Sequence, residues 1–175
     1  MASLIDDLKA QARAVHRLAQ GGDPTTLARL SAAGEHGGLI QRRHCLTLLA
    51  RELGFSGWPH ALAVLRGEPV RDFGTLLYPD GASAFWNIWS ASYEEARAIR
   101  GEHGGYLLAY KHQFFITESH FLEALGVASS DGDWELIGRD WVKPLDGDAR
   151  ARLYAKIVRA RQASAVLDPF RSRRA

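Results

Sequence analysis

The sequence predicts an α+β protein: an N-terminal helical bundle module followed by a small three- or four-stranded sheet, mixed or antiparallel, with flanking helices. Two observations carry that reading. Through residue 67, apolar residues recur at helical spacing between capping and stop signals. From Arg71 onward, short aromatic and β-branched runs alternate with turn residues and further capped helices. The division that follows is a helical module over 1–67, an α+β domain over 71–166 and a basic tail over 167–175. At 175 residues, 46% hydrophobic and 24% charged, the chain is ordinary globular material for one full domain or two small ones.

The first helix starts at Ser3, with Asp6 three residues on, an acidic variant of the capping-box spacing. Leu4, Leu8, Ala12, Val15 and Ala19 form its apolar stripe, and Gly21–Gly22 ends it. Asp23 caps a second helix that opens on Pro24 and runs to about Ala33. After a loop from Gly34 to Gly38, a third helix is expected from Leu39 to Leu53, stopped by Gly54. Ser56 or Gly57 starts a fourth, with Pro59 in its first turn and Gly67 and Pro69 at its end.

Asp72–Tyr78 reads as a strand, Pro79–Asp80–Gly81 as a turn, and Phe85–Trp89 as a second strand. Large apolar groups on both faces of Phe85–Trp89 predict a central, covered strand, with a base- or sugar-stacking platform as the alternative. Ser92 and Glu95 make a capping box for a helix from Tyr93 to about Glu102, and Gly104–Gly105 breaks it. Tyr106–Ile116 reads as one long or two short strands. Thr117 is positioned to cap a helix ending at Gly126. Asp133 is positioned to cap a short helix to about Trp141, and a last helix spans about Asp148 to Val166.

The net charge of +2 is a sum of unlike parts. Residues 1–70 carry +2, residues 71–149 carry −7, and residues 150–175 carry +7. Thirteen of the seventeen aromatics sit in the acidic middle segment, which suits contact with a basic tail, within one chain or between two. One cysteine, Cys45, excludes an internal disulfide and a Cys-based zinc cage. No apolar run approaches a membrane span, and the first residues lack the basic and apolar regions of a signal peptide, so a cytoplasmic setting is expected. Metal and cofactor are expected to be absent: Asp131–Gly132–Asp133 resembles the start of a calcium loop, but Val142 stands where its twelfth-position Glu belongs.

The stretch Ala50–Arg51–Glu52–Leu53–Gly54–Phe55–Ser56–Gly57–Trp58–Pro59 resembles an A-R-E-x-G-F-x-S-W-P pattern found in helical segments of uncharacterised bacterial proteins, some of which also carry ankyrin repeats. Gly57 stands where that pattern has Ser, and no ankyrin signature follows. The resemblance covers residues 1–67 and implies a helical module without an activity. Read from the residues alone, Gly54 supplies a left-handed turn, Phe55 and Trp58 fill a helix junction, and Pro59 opens the next helix. A helix-turn-helix is the rival, but Trp58–Arg66 is too apolar for base readout.

Tyr106, Tyr110, Lys111, His112, Thr117, Glu118 and His120 are the candidate ligand-binding residues. In one continuous strand Tyr106, Tyr110 and His112 share a face, and Thr117–Ser119 offers a helix N-terminus to an anion. His112 or His120 is the candidate base, and Lys111 or Tyr110 the candidate oxyanion donor, if the site is catalytic. Arg152, Lys156 and Arg159 fall on one helix face as candidate interaction residues. Without a catalytic signature, the first reading is a bacterial, cytoplasmic, non-enzymatic interaction or regulatory protein that self-associates or binds a protein partner, not a membrane. A small-molecule or anion-binding protein or enzyme at Tyr110–His120 is the alternative. A nucleic-acid accessory protein using the basic C-terminus is a third reading.

Overall fold

A computed structural model describes residues 3–35 and 38–167, the last three by backbone alone, as two compact units divided after Val70. The basic tail predicted over 167–175 lies outside the described residues beyond Leu167.

The first unit is helical: α1 (Leu4–Gln20), α2 (Pro24–Ala32), α3 (Arg42–Glu52) and α4 (Trp58–Arg66). The Ser3 hydroxyl accepts from the Asp6 N–H, and the Asp23 carboxylate accepts from the Thr26 N–H at 2.8 Å. Ala12, Val15 and Ala19 of α1 meet Leu30 of α2 and Cys45, Leu48 and Leu49 of α3 in one buried cluster. α3 begins three residues after Leu39, the expected start. Leu39 is 80% exposed, so no packing holds a further turn, and the Gln41 N–H is satisfied by His44 Nδ1. The Ala50–Pro59 motif ties the helices together. Gly54 turns the chain at φ +89°, Phe55 is buried, and Glu52 forms a two-point pair with Arg29 of α2 at 2.8 and 2.9 Å. Arg51 donates to the carbonyls of Ser56 and Ala33, closing off the C-terminal end of α2. Trp58 is only half-buried.

The second unit contains α5 (Tyr93–His103), α6 (Ser119–Ala124), α7 (Asp133–Leu136) and α8 (Gly147–Leu167) around a three-stranded antiparallel sheet. Its strands are β1 (Ile88–Ser90), β2 (Tyr106–Tyr110) and β3 (Gln113–Thr117), in the order β1-β3-β2. The chain is therefore α+β. β1 and β2 run parallel with β3 inserted between them, so β1–α5–β2 is a split crossover. One sheet face, through Ile88, Leu107 and Ile116, packs on Tyr93 and Ala96 of α5. The opposite face carries Trp89 and Phe115, against Tyr78 and Phe121.

Several expectations change. Asp72–Tyr78 is not a strand: the Asp72 carboxylate accepts from the Gly74 N–H at 2.8 Å and Gly74 takes φ +71°, which bends the chain. The expected central strand Phe85–Trp89 is a three-residue edge strand, because a 3-10 turn at Ala82–Ala84 delays its start. Of the two readings of Tyr106–Ile116 the two-strand one holds, and with it the face shared by Tyr106, Tyr110 and His112 is lost, since His112 lies in the turn between the strands. Thr117 ends β3, and Glu118 occupies the cap position of α6 without a side-chain capping bond. Asp133 begins a four-residue α7 and does not cap it, because its carboxylate is drawn to α8; α7 stops at Leu136, ahead of Gly138 and Arg139 at φ +67° and +53°.

Candidate functional site

The hairpin register spreads the seven candidate ligand residues over both ends of the sheet. Tyr106 pairs with Thr117 at one end and Tyr110 with Gln113 at the other, about 14 Å apart at strand rise. Tyr106 is buried on Trp134 with the Arg139 guanidinium over its ring, and Thr117 is 2% exposed with its hydroxyl unpartnered. Glu118 and His120 are exposed and lie 3.4 Å apart. At the hairpin turn, Lys111 is exposed with its ammonium 5.3 Å from the Tyr110 ring centroid, and His112 Nδ1 meets the Arg71 carbonyl at 3.0 Å. These residues do not converge on one pocket.

Two of them, Tyr110 and His120, instead border an aromatic cluster that sequence reasoning missed. Tyr78 contacts Trp89, Tyr110, Phe115 and Phe121, with ring centroids at 5.1–6.2 Å. Phe85 bridges Phe121 and His120. Trp89 rests on Phe115 at 4.9 Å yet is 38% exposed, and Trp86 is 85% exposed. The signal for this surface was the aromatic density of Phe85–Trp89, read as core because the strand was taken to be central.

The two sheet edges differ. The Leu107 N–H donates to the Arg139 carbonyl, and the Leu107 carbonyl accepts from the Trp141 N–H, both at 2.9 Å, so chain 139–141 covers the β2 edge. Near the hairpin turn, Phe73 and Gly74 bond both backbone groups of Lys111. Leu107 therefore points away from β3, and antiparallel alternation turns the Ile116 groups toward β1. Ile88 and Ser90 then bond β3, while the Trp89 N–H and C=O point outward. Among the described residues, no backbone bond reaches that outer side of β1.

Arg152 and Lys156 of α8 meet the acidic residues before and within α7. Arg152 donates to one Asp133 oxygen at 2.6 and 3.0 Å, and Lys156 bonds the other at 2.8 Å and Asp131 at 2.5 Å. Hydrogen bonding from Arg152, assisted by Lys156 and opposed by desolvation, holds the Asp133 carboxyl below its usual range. Arg159, the third candidate, is exposed on the same helix. A second polar group is fully internal: the Tyr93 hydroxyl donates to Asp140 at 2.8 Å, and Asp140 also accepts from the Val142 and Lys143 N–H groups. Burial, then that bond, pushes the Tyr93 phenol up to about 12. Burial also raises the Cys45 thiol, which suits a core residue rather than a nucleophile.

In the first unit, an open groove is lined by Glu35, Arg43, His44 and Trp58, with Glu35 ion-paired to Arg51 at 3.5 Å. Among the described residues, no group of three or more His, Cys, Asp or Glu side chains is placed to hold a metal ion, and no helix is long and apolar enough to cross a membrane. No family model, curated protein or solved structure matches the chain.

Proposed function

We propose that the chain is a non-enzymatic interaction protein whose second unit presents the Trp86–Trp89 segment to a protein partner. The exposure of Trp86 is the observation that carries this reading. Tryptophan is among the side chains most enriched at binding hot spots, and here Trp86 stands in water three residues before Trp89, which is part-exposed at an open strand edge and rests on the aromatic cluster. The dispersal of Tyr106–His120 favours interaction over ligand turnover. A cytoplasmic, regulatory role belongs to the same reading, supported by the single buried Cys45 thiol.

The test is a photo-crosslinking amino acid at position 86, with the equally exposed Leu39 position as control. A discrete protein adduct at 86 and none at 39 is expected. Equal labelling at both positions, or none at 86, removes the reading.

A further inference from the structure

We propose that the partner at this edge is a second copy of the chain, joined by antiparallel pairing of β1 with β1 about a two-fold axis at Trp89. This rests on the interaction reading above and names its partner.

The backbone is self-complementary there. With Trp89 opposite Trp89 of the partner subunit, the outward N–H and C=O of each bond the other, forming a doubly hydrogen-bonded pair. The same register sets Asn87 opposite Ala91 of the partner subunit, and Ala91 opposite Asn87 of the partner subunit. The two sheets become one six-stranded sheet. Directly opposed residues lie on the same face, so the two Trp89 rings, each seated on its own Phe115, become neighbours and the aromatic faces join.

The charge pattern fits this partner. From Gly81 to Tyr93, thirteen consecutive residues contain no Asp, Glu, Lys or Arg, in a chain that is 24% charged, and Asp80 and Glu94 bound the run. Monomeric proteins guard open edges with charges, proline or very short strands; β1 is only three residues long, but it carries neither charge nor proline. In a two-fold pairing each strand meets its own sequence, so a charge near the axis would face its like. The neutral run removes that repulsion.

The contact is small. Two tryptophans offer about 150–250 Å² each, against the roughly 800 Å² per partner of a standard interface. A dimer in concentration-dependent exchange with monomer is therefore expected.

The test mixes two single variants, Asn87→Cys and Ala91→Cys, under mild oxidation. In the proposed register each new thiol faces the other variant's thiol at disulfide distance, whereas identical positions are about 14 Å apart. A disulfide dimer in the mixture and little in either variant alone is expected; buried Cys45 does not contribute. No dimer in the mixture, or equal dimer in each variant alone, overturns the register. Sedimentation of the unmodified chain guards against variants that misfold. Its mass should rise from 19.3 kDa toward twice that value with concentration, and a monomer up to the high micromolar range overturns the proposal. A position-86 adduct to a different protein, with no dimer, overturns self-pairing and leaves the interaction reading standing.

Discussion

Asp133→Asn removes one negative charge from the junction of α7 and α8 while keeping the side-chain shape. The amide keeps one acceptor oxygen, so the bonds of one cation are lost, either the pair from Arg152 or the one from Lys156, and those that remain lose their charge assistance. Asp133 is buried, but side-chain exposures of 43% for Arg152 and 39% for Lys156 leave both cations partly screened by water. Breaking a fully buried pair costs about 3–5 kcal/mol, and an exposed pair contributes about 1 kcal/mol or less. An intermediate loss of about 2 kcal/mol follows, read from urea unfolding by tryptophan fluorescence, since four of the five tryptophans lie in the second unit. The pH dependence has a fixed sign. Because the folded carboxyl is held below its usual range, its stabilisation is complete above about pH 4. It is lost as pH falls through the lowered folded value. The difference between wild type and Asp133→Asn should be flat from pH 7 to 5 and shrink in acid. A loss under about 0.5 kcal/mol, or parallel curves down to pH 2.5, would show that the latch is not stabilising.

Three further outcomes are expected. Tyr93→Phe should cost about 1–2 kcal/mol by leaving a buried Asp140 oxygen short of a donor; spectrophotometric titration should lose a tyrosine ionising near pH 12 in the variant, and the stabilising contribution of Tyr93 is complete below about pH 10 and lost as pH rises toward about 12. Gly126→Ala should cost the second unit about 3 kcal/mol of stability, read as a lowered thermal midpoint, because residue 126 sits at φ +78° and an added Cβ collides with Ala160 of α8; adding Ala160→Gly should recover only the collision part, and full recovery would refute the backbone-strain share. Arg51→Ala should cost about 1–2 kcal/mol in the first unit by freeing the carbonyls of Ala33 and Ser56, measured by far-ultraviolet circular dichroism against urea.

What was legible in the sequence was local. Ser3, Asp23 and Ser92 stand where their hydroxyl or carboxylate oxygens reach nearby helix N–H groups, and a cap depends on residues only three apart. The hairpin turn was harder to see, because Lys111 takes φ +51° at a site where glycine or asparagine would have announced it. The Ser92–Glu95 box half-misled: Ser92 accepts from the Glu95 N–H, but the Glu95 carboxylate turns to the Ser90 hydroxyl at 2.5 Å. Non-local choices were invisible. Nothing near Phe85–Trp89 declares which strand borders it, so two large tryptophans read as core. The charge segregation of residues 71–149 and 150–175 was plain, but pairing Asp133 with Arg152 and Lys156 requires the fold of α7 onto α8.

That pairing bears on which surface of the second unit can receive a partner. A phosphate backbone drawing Arg152 and Lys156 would have to strip both from Asp133 and leave a buried carboxylate without its cations, a cost of several kcal/mol. At Arg152 and Lys156 the basic stripe of α8 is thus engaged within its own unit, whereas the outer side of β1, open to backbone bonding among the described residues, is uncharged. Salt separates the two. Raising ionic strength screens the half-exposed Arg152 and Lys156 contacts and lowers the stability of the α7–α8 junction. Edge pairing through backbone bonds and tryptophan rings involves no charge, so its dissociation constant should stay level or tighten over the same range. Self-association that weakens steeply with salt would place the contact on charged residues and away from β1.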